Sequence, residues 1–122
     1  MVDNRRYGRA DRVADLIRRE VADILIRGDL DREIGFVTVT RAEVSRDLQN
    51  AKIYISVLGD KDVREREFEK LLEEKKRIRY LLAQRLNLRH TPTIKLYLDD
   101  SLDNSIRVQK LLKNIDAGDE QE

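Results

Sequence analysis

The stretch FEKLLEEKKRIRYLL, Phe68–Leu82, interrupts its own helical pattern. Phe68, Leu71 and Leu72 form one apolar group, and Ile78, Leu81, Leu82 and, just beyond, Leu86 form another, all at helical spacing. Between the groups, where the apolar stripe has to resurface near residue 75 or 76, stand the consecutive charges Glu73, Glu74, Lys75, Lys76 and Arg77. Such a run cannot all face solvent on a helix lying flat against a core. The region Lys61–Leu88 is therefore expected to kink or break there into two helices that meet at a charged junction. The alternative is one long helix whose middle turn bridges solvent, with Lys75 covering the core by its aliphatic stem.

Working outward, Pro92 disfavours helical geometry at Thr91 and cannot continue a helix itself, so the basic helix must end by His90. Ile94, Leu96 and Leu98 then alternate with Thr93, Lys95 and Tyr97, as a strand with one buried face requires. Upstream, FVTVTRAEV and AKIYISVL alternate in the same way and are joined by SRDLQN, whose Ser, Asp and Asn favour a turn; they read as two antiparallel strands. Asp60 is placed to cap a helix beginning near Lys61. Val13, Leu16, Ile17, Val21, Ile24 and Leu25 recur at helical spacing between Arg9 and Arg27, and Gly28 supplies the stop. Ile106, Val108, Leu111, Leu112 and Ile115 suggest a short last helix. The expected class is α+β, one domain over residues 1–115 with its core at about 9–101, in the order helix, strand, strand, helix, helix, strand, helix. The acidic stretch 116–122 is expected to be a disordered tail.

A chain of 122 residues has room for one modest core, and with 40% charged residues its function is expected on its surface rather than in a deep pocket. The absence of cysteine removes thiol nucleophiles and thiolate metal sites and fits a reducing cytoplasm. No apolar run approaches the length of a membrane span, so a soluble protein without a membrane partner is expected. Net charge is only +1, yet it is unevenly spread. From Lys75 through Leu98 there is no carboxylate, while Lys75, Lys76, Arg77, Arg79, Arg85, Arg89 and Lys95 all fall inside.

Catalytic candidates are few: one histidine and no glycine-rich phosphate loop. His90 sits at a helix terminus, where a lone histidine is more often a capping or surface group than a general base. Asp99, Asp100 and Asp103 lack the spacing of a calcium loop and read as strand exit and helix cap. Neither a metal nor a cofactor is expected. Tyr54 and Tyr97 are placed to share the strand face opposite the helices, where aromatics can stack on bases. With no third exposed ring and no basic alternation on those strands, sheet packing is the preferred reading. Phosphate recognition needs only several cations held on one face. Lys75, Lys76, Arg77, Arg79, Arg85 and Arg89, with Arg5, Arg6, Arg9 and Arg12 as a second cluster, are the expected contacts to nucleic-acid phosphates. A protein-interaction module using the open strand face, with the basic helices merely solvating, is the competing reading.

RADRVADLIRREVADIL, VTVTRAEVSRDLQNAKIYISVLGD and RIRYLLAQRLNLRHTPTIKLYLDDS, in that order from about Arg9 to Ser101, resemble ribosome-binding factor A. The resemblance implies a single KH domain of the second type and a non-enzymatic, monomeric factor. Such a factor binds the immature, free small ribosomal subunit and assists late maturation of its 16S rRNA, including the 5′ end, with importance for growth in the cold. The family's usual kink between the paired helices is written Ala, any residue, Gly. The matching positions here are Glu74, Lys75 and Lys76, so a glycine-loop grip on single-stranded RNA is not expected, and long side chains must reach the phosphates instead.

Overall fold

The computed structural model describes residues 8–99. Arg5, Arg6, Asp100, Asp103, the expected last helix with Ile106–Ile115 and the acidic tail lie outside the described residues. Helix α1 spans Arg9–Arg27, followed by strands β1 (Val37–Val44) and β2 (Asn50–Val57), helices α2 (Lys61–Glu73) and α3 (Lys75–Arg85), and strand β3 (Thr93–Leu98). The three-stranded sheet has the order β1-β2-β3, with β1 antiparallel and β3 parallel to the central β2. The α2–α3 pair is thus the crossover that a parallel β2–β3 connection needs.

Local chemistry sets the boundaries. Gly28 ends α1 in the left-handed conformation (φ 70°), with its N–H donating to Leu25 O and the Asp29 N–H to Ile24 O. Asp60 caps α2 by accepting the Val63 N–H on Oδ1 at 2.9 Å. At the β1–β2 turn, Asp47 Oδ1 accepts both the Ser45 hydroxyl and the Gln49 N–H, which holds its carboxyl below the usual carboxylate range. α3 ends at Leu86, whose extended backbone (φ −93°, ψ 138°) turns the chain toward Pro92 four residues before His90.

The apolar faces meet in one layer between the helices and the sheet. Ile17, Val21 and Ile24 of α1, Ile53 and Ile55 of β2, Leu71, Ile78 and Leu82 of the helix pair and Ile94 of β3 are fully buried. Burying each such side chain contributes about 1.5–3 kcal/mol before conformational entropy is subtracted. The opposite face of the sheet carries Lys52, Tyr54, Lys95 and Tyr97, none of them fully buried.

Candidate nucleic-acid interface

The charged run is indeed a junction between two helices, and one residue resolves it. Glu74 alone separates α2 from α3, with φ −93° and ψ 6°. Its N–H donates to Lys70 O (3.1 Å) and Leu71 O (3.0 Å), and its carbonyl accepts the Ile78 N–H (2.9 Å), so the hydrogen-bond ladder bends without being severed. Leu71, Glu74, Ile78 and Leu82 all point inward. The apolar stripe therefore resurfaces at residue 74, not at 75 or 76, and it does so as a carboxylate. Glu74 is the buried charged side chain of the described residues, and its Oε1 accepts the Asp31 N–H at 3.1 Å from the loop after α1. Beside it, Glu73 pairs with Arg32 of the same loop. The kink thus exists without a small residue or a glycine at the junction, because Glu74 turns in and fastens it to the α1–β1 loop. Glu74→Ala is expected to destabilise the fold by about 2 kcal/mol, the worth of a hydrogen bond to a charged group. Denaturant unfolding measures that loss, and faster hydrogen exchange at the Asp31 amide locates it.

With Glu74 turned in, Lys75, Lys76 and Arg77 all project into solvent. Arg77 lies over the exposed ring of Tyr80, 5.6 Å from its centroid, and Gln84 Nε2 donates to the Tyr80 hydroxyl at 3.0 Å. The same side of α3 forms one wall of an open cleft of about 360 Å³, lined by Lys76, Arg79, Tyr80 and Ala83 from the helix and by Arg89, His90 and Thr91 from the corner before β3. Arg79 builds that corner: its Nε donates to Pro92 O at 3.0 Å and its Nη2 to Thr91 O at 2.6 Å. It still lends its charge to the cleft while fixing where Arg89 and His90 stand. The cleft is a concave, basic surface with one aromatic plane, suited to phosphate and sugar-phosphate edges rather than to a buried small molecule.

Arg85 does not join that face. It turns to the opposite side of α3, where Nη1 donates to Glu20 Oε1 (3.1 Å) and Asp23 Oδ2 (2.7 Å), and Nη2 to Asp29 Oδ2 (3.3 Å). Asp23 also accepts from Arg27 Nε at 2.7 Å. The Arg85 and Arg27 hydrogen bonds hold the Asp23 carboxyl below the usual range, and Asp23 and Glu20 raise the Arg85 pKa in return. Arg85 is a lock between α1 and α3. Arg9 and Arg12 are exposed on the first turn of α1, at the far end of a helix about 28 Å long from the loop that Glu74 holds. The structure therefore does not bring them beside the junction.

Among the described residues no group of His, Cys, Asp and Glu is arranged to hold a metal ion, and no helix is long and apolar enough to cross a membrane. Asp99, one of the three acids considered for a cation, accepts the Thr40 hydroxyl at 2.6 Å. Sequence reasoning passed over Tyr80 as a third exposed ring. Its signal was present: Lys76, Arg77, Tyr80, Ala83 and Gln84 fall on one side at helical spacing, with the small Ala83 leaving room beside the ring.

Comparison with known proteins supplies a family. Residues 9–112 match the family model described as ribosome-binding factor A. A curated ribosome-binding factor A from Halothermothrix orenii is 39% identical over 112 residues, covering 92% of each chain. A Thermotoga maritima protein solved by solution NMR and assigned to ribosome binding factor A superposes with a TM-score of 0.65 at 29% identity, covering 75% of this chain and 87% of that one. The crystal structure of ribosome-binding factor A from Thermus thermophilus superposes with a TM-score of 0.63 at 20% identity, covering 75% and 97%. A homology model of the Thermus thermophilus factor, fitted into the cryo-EM map of a 30S complex with it, gives 0.59 at 19% identity, covering 71% and 91%.

Proposed function

Because the chain belongs to the ribosome-binding factor A family, we propose that it is a non-enzymatic assembly factor that binds the immature small ribosomal subunit through the phosphates of its 16S rRNA. The observation that carries this reading is the outer side of α3: Lys75, Lys76 and Arg77 at the junction, then Arg79, Tyr80, Arg89 and His90 around one open cleft, with no carboxylate lining it. A relative fitted into a 30S complex supports the same partner. Long cations projecting from the junction contact backbone charge, so sequence preference is weak and the shape of the ribosomal site supplies specificity. The factor acts in the cytoplasm as a monomer, on the free subunit before translation. It assists late maturation of the RNA, including its 5′ end, a role whose loss is felt most in the cold.

The test is co-sedimentation of the purified protein with immature and mature small subunits. The expected result is saturable, salt-sensitive binding that favours the immature particle. Failure to bind either particle overturns the assignment.

A further inference from the structure

The sheet face turned away from the helices holds an arrangement that the α3 surface does not use. In the parallel register of β2 and β3, Lys52 stands directly across from Lys95, and Tyr54 directly across from Tyr97. The two rings stack, with centroids 5.3 Å apart and planes at 24°. On the other side of Tyr54, Arg41 of β1 lies 4.2 Å from the ring centroid, in register with it. The stack Arg41–Tyr54–Tyr97 thus crosses all three strands and ends at β3, the edge of the sheet. Tyr97 is 38% exposed there, and no described strand lies beyond it.

Cross-strand aromatic stacking needs no ligand to explain it; it is the neighbouring row that points to one. Lys52 and Lys95 are both exposed, and like charges directly opposite one another on a ladder are unfavourable. Neither has an ion-pair partner among the described residues. Glu43, across from Lys52 in the β1–β2 register, turns its carboxylate instead to Arg41 Nη2 (3.6 Å) and accepts from the Tyr54 hydroxyl (3.4 Å). An anion between the two ammonium groups removes the repulsion. The lysine row and the tyrosine row are two residues apart along each strand, about 6.6 Å, close to the reach from a nucleotide's phosphate to its base. Alternating cations and rings in this way is the footprint of a single-stranded polyanion with planar groups.

We infer that this face is a second nucleic-acid site, taking a short single-stranded segment with one phosphate between Lys52 and Lys95 and one base on the free face of Tyr97. The site lies on the opposite side of the sheet from α3 and stands whether or not the α3 reading does. Its sequence preference is weak, because any base has a face to stack.

The experiment is fluorescence anisotropy of a fluorescein-labelled ten-nucleotide oligouridylate titrated with the full chain. It is run in the wild type and in a Lys75→Glu, Lys76→Glu, Arg77→Glu background that removes the junction charges. In that background, binding is expected to persist. There, Tyr97→Ala should weaken it about tenfold while Tyr97→Phe leaves it nearly unchanged. Lys52→Gln with Lys95→Gln should lower the salt slope by about 0.7, the contribution of the one single-strand phosphate that the two lysines share. Circular dichroism checks that each variant is folded, and the lysine pair keeps the test decisive even where Tyr97→Ala does not fold. Oligonucleotide affinity and salt slope that are both unchanged in the lysine variant, or binding that vanishes with the junction charges alone, overturn the inference. So does a sheet face that captures only a protein partner and no oligonucleotide.

Discussion

Reversing the junction charges with Lys75→Glu, Lys76→Glu and Arg77→Glu is expected to weaken binding to the immature small subunit about 100-fold at about 0.1 M salt while leaving the fold intact. The magnitude follows from counterion release: at that salt each lost contact to a single-strand phosphate costs about fivefold, and three contacts multiply. The fold survives because all three side chains are exposed and none is in a described ion pair; Arg77 gives up only its approach to Tyr80. Exposed charges without partners contribute little to stability. Equilibrium binding and thermal unfolding of the same preparation separate the two effects. Wild-type affinity in the folded variant moves the contact to another surface.

Arg85→Ala is expected to do the reverse, destabilising the domain by about 1–2 kcal/mol after discounting for solvent screening, with the subunit-binding salt dependence of the folded protein unchanged. The guanidinium binds Glu20, Asp23 and Asp29 at once, so its removal loosens α1 from α3 and leaves three carboxylates facing one another. The difference between variant and wild type also depends on pH. The Asp23 carboxyl is held below its ordinary value chiefly by Arg85, and a depressed carboxylate contributes stability that is present above its unfolded pKa and lost as pH falls through the folded one. Arg85 is shifted upward, so its own contribution is present throughout the neutral and acid range. The gap in unfolding free energy should therefore be full near neutrality and shrink below about pH 4. Urea unfolding at neutral and acid pH measures it. A gap that stays constant into strong acid contradicts the lock.

The order of the described elements, the antiparallel hairpin and the break inside Lys61–Leu88 were legible because each rests on spacing or on a residue with fixed geometry: Gly28 as a stop, Asp60 as a cap, Pro92 as a barrier, and a charge run that cannot lie flat. What was not legible depends on partners distant in the chain. The carboxylate-free stretch from Lys75 to Leu98 looked like a continuous basic face. Arg85, however, finds its counter-charges 56 to 65 residues away on α1 and the loop after it. Arg79 likewise reads as a free cation until the corner folds back and offers it two carbonyls. Glu74 misled in the other direction. A carboxylate in a charge run reads as solvated, and only the loop amide of Asp31 explains why it occupies a core position. On the strands, Lys52 with Tyr54 and Lys95 with Tyr97 do alternate as cation and ring. Their alignment into rows needed the β2–β3 register, which no local pattern specifies.

The central claim is that α3 divides its cations between an inner lock and an outer phosphate-reading face. The salt dependence of subunit binding in the wild type and the junction variant, plotted as log affinity against log salt, tests it most directly. Three lost phosphate contacts predict a slope shallower by about 2 in the variant. Equal slopes in two folded proteins would contradict the claim and remove the junction from the RNA-binding surface.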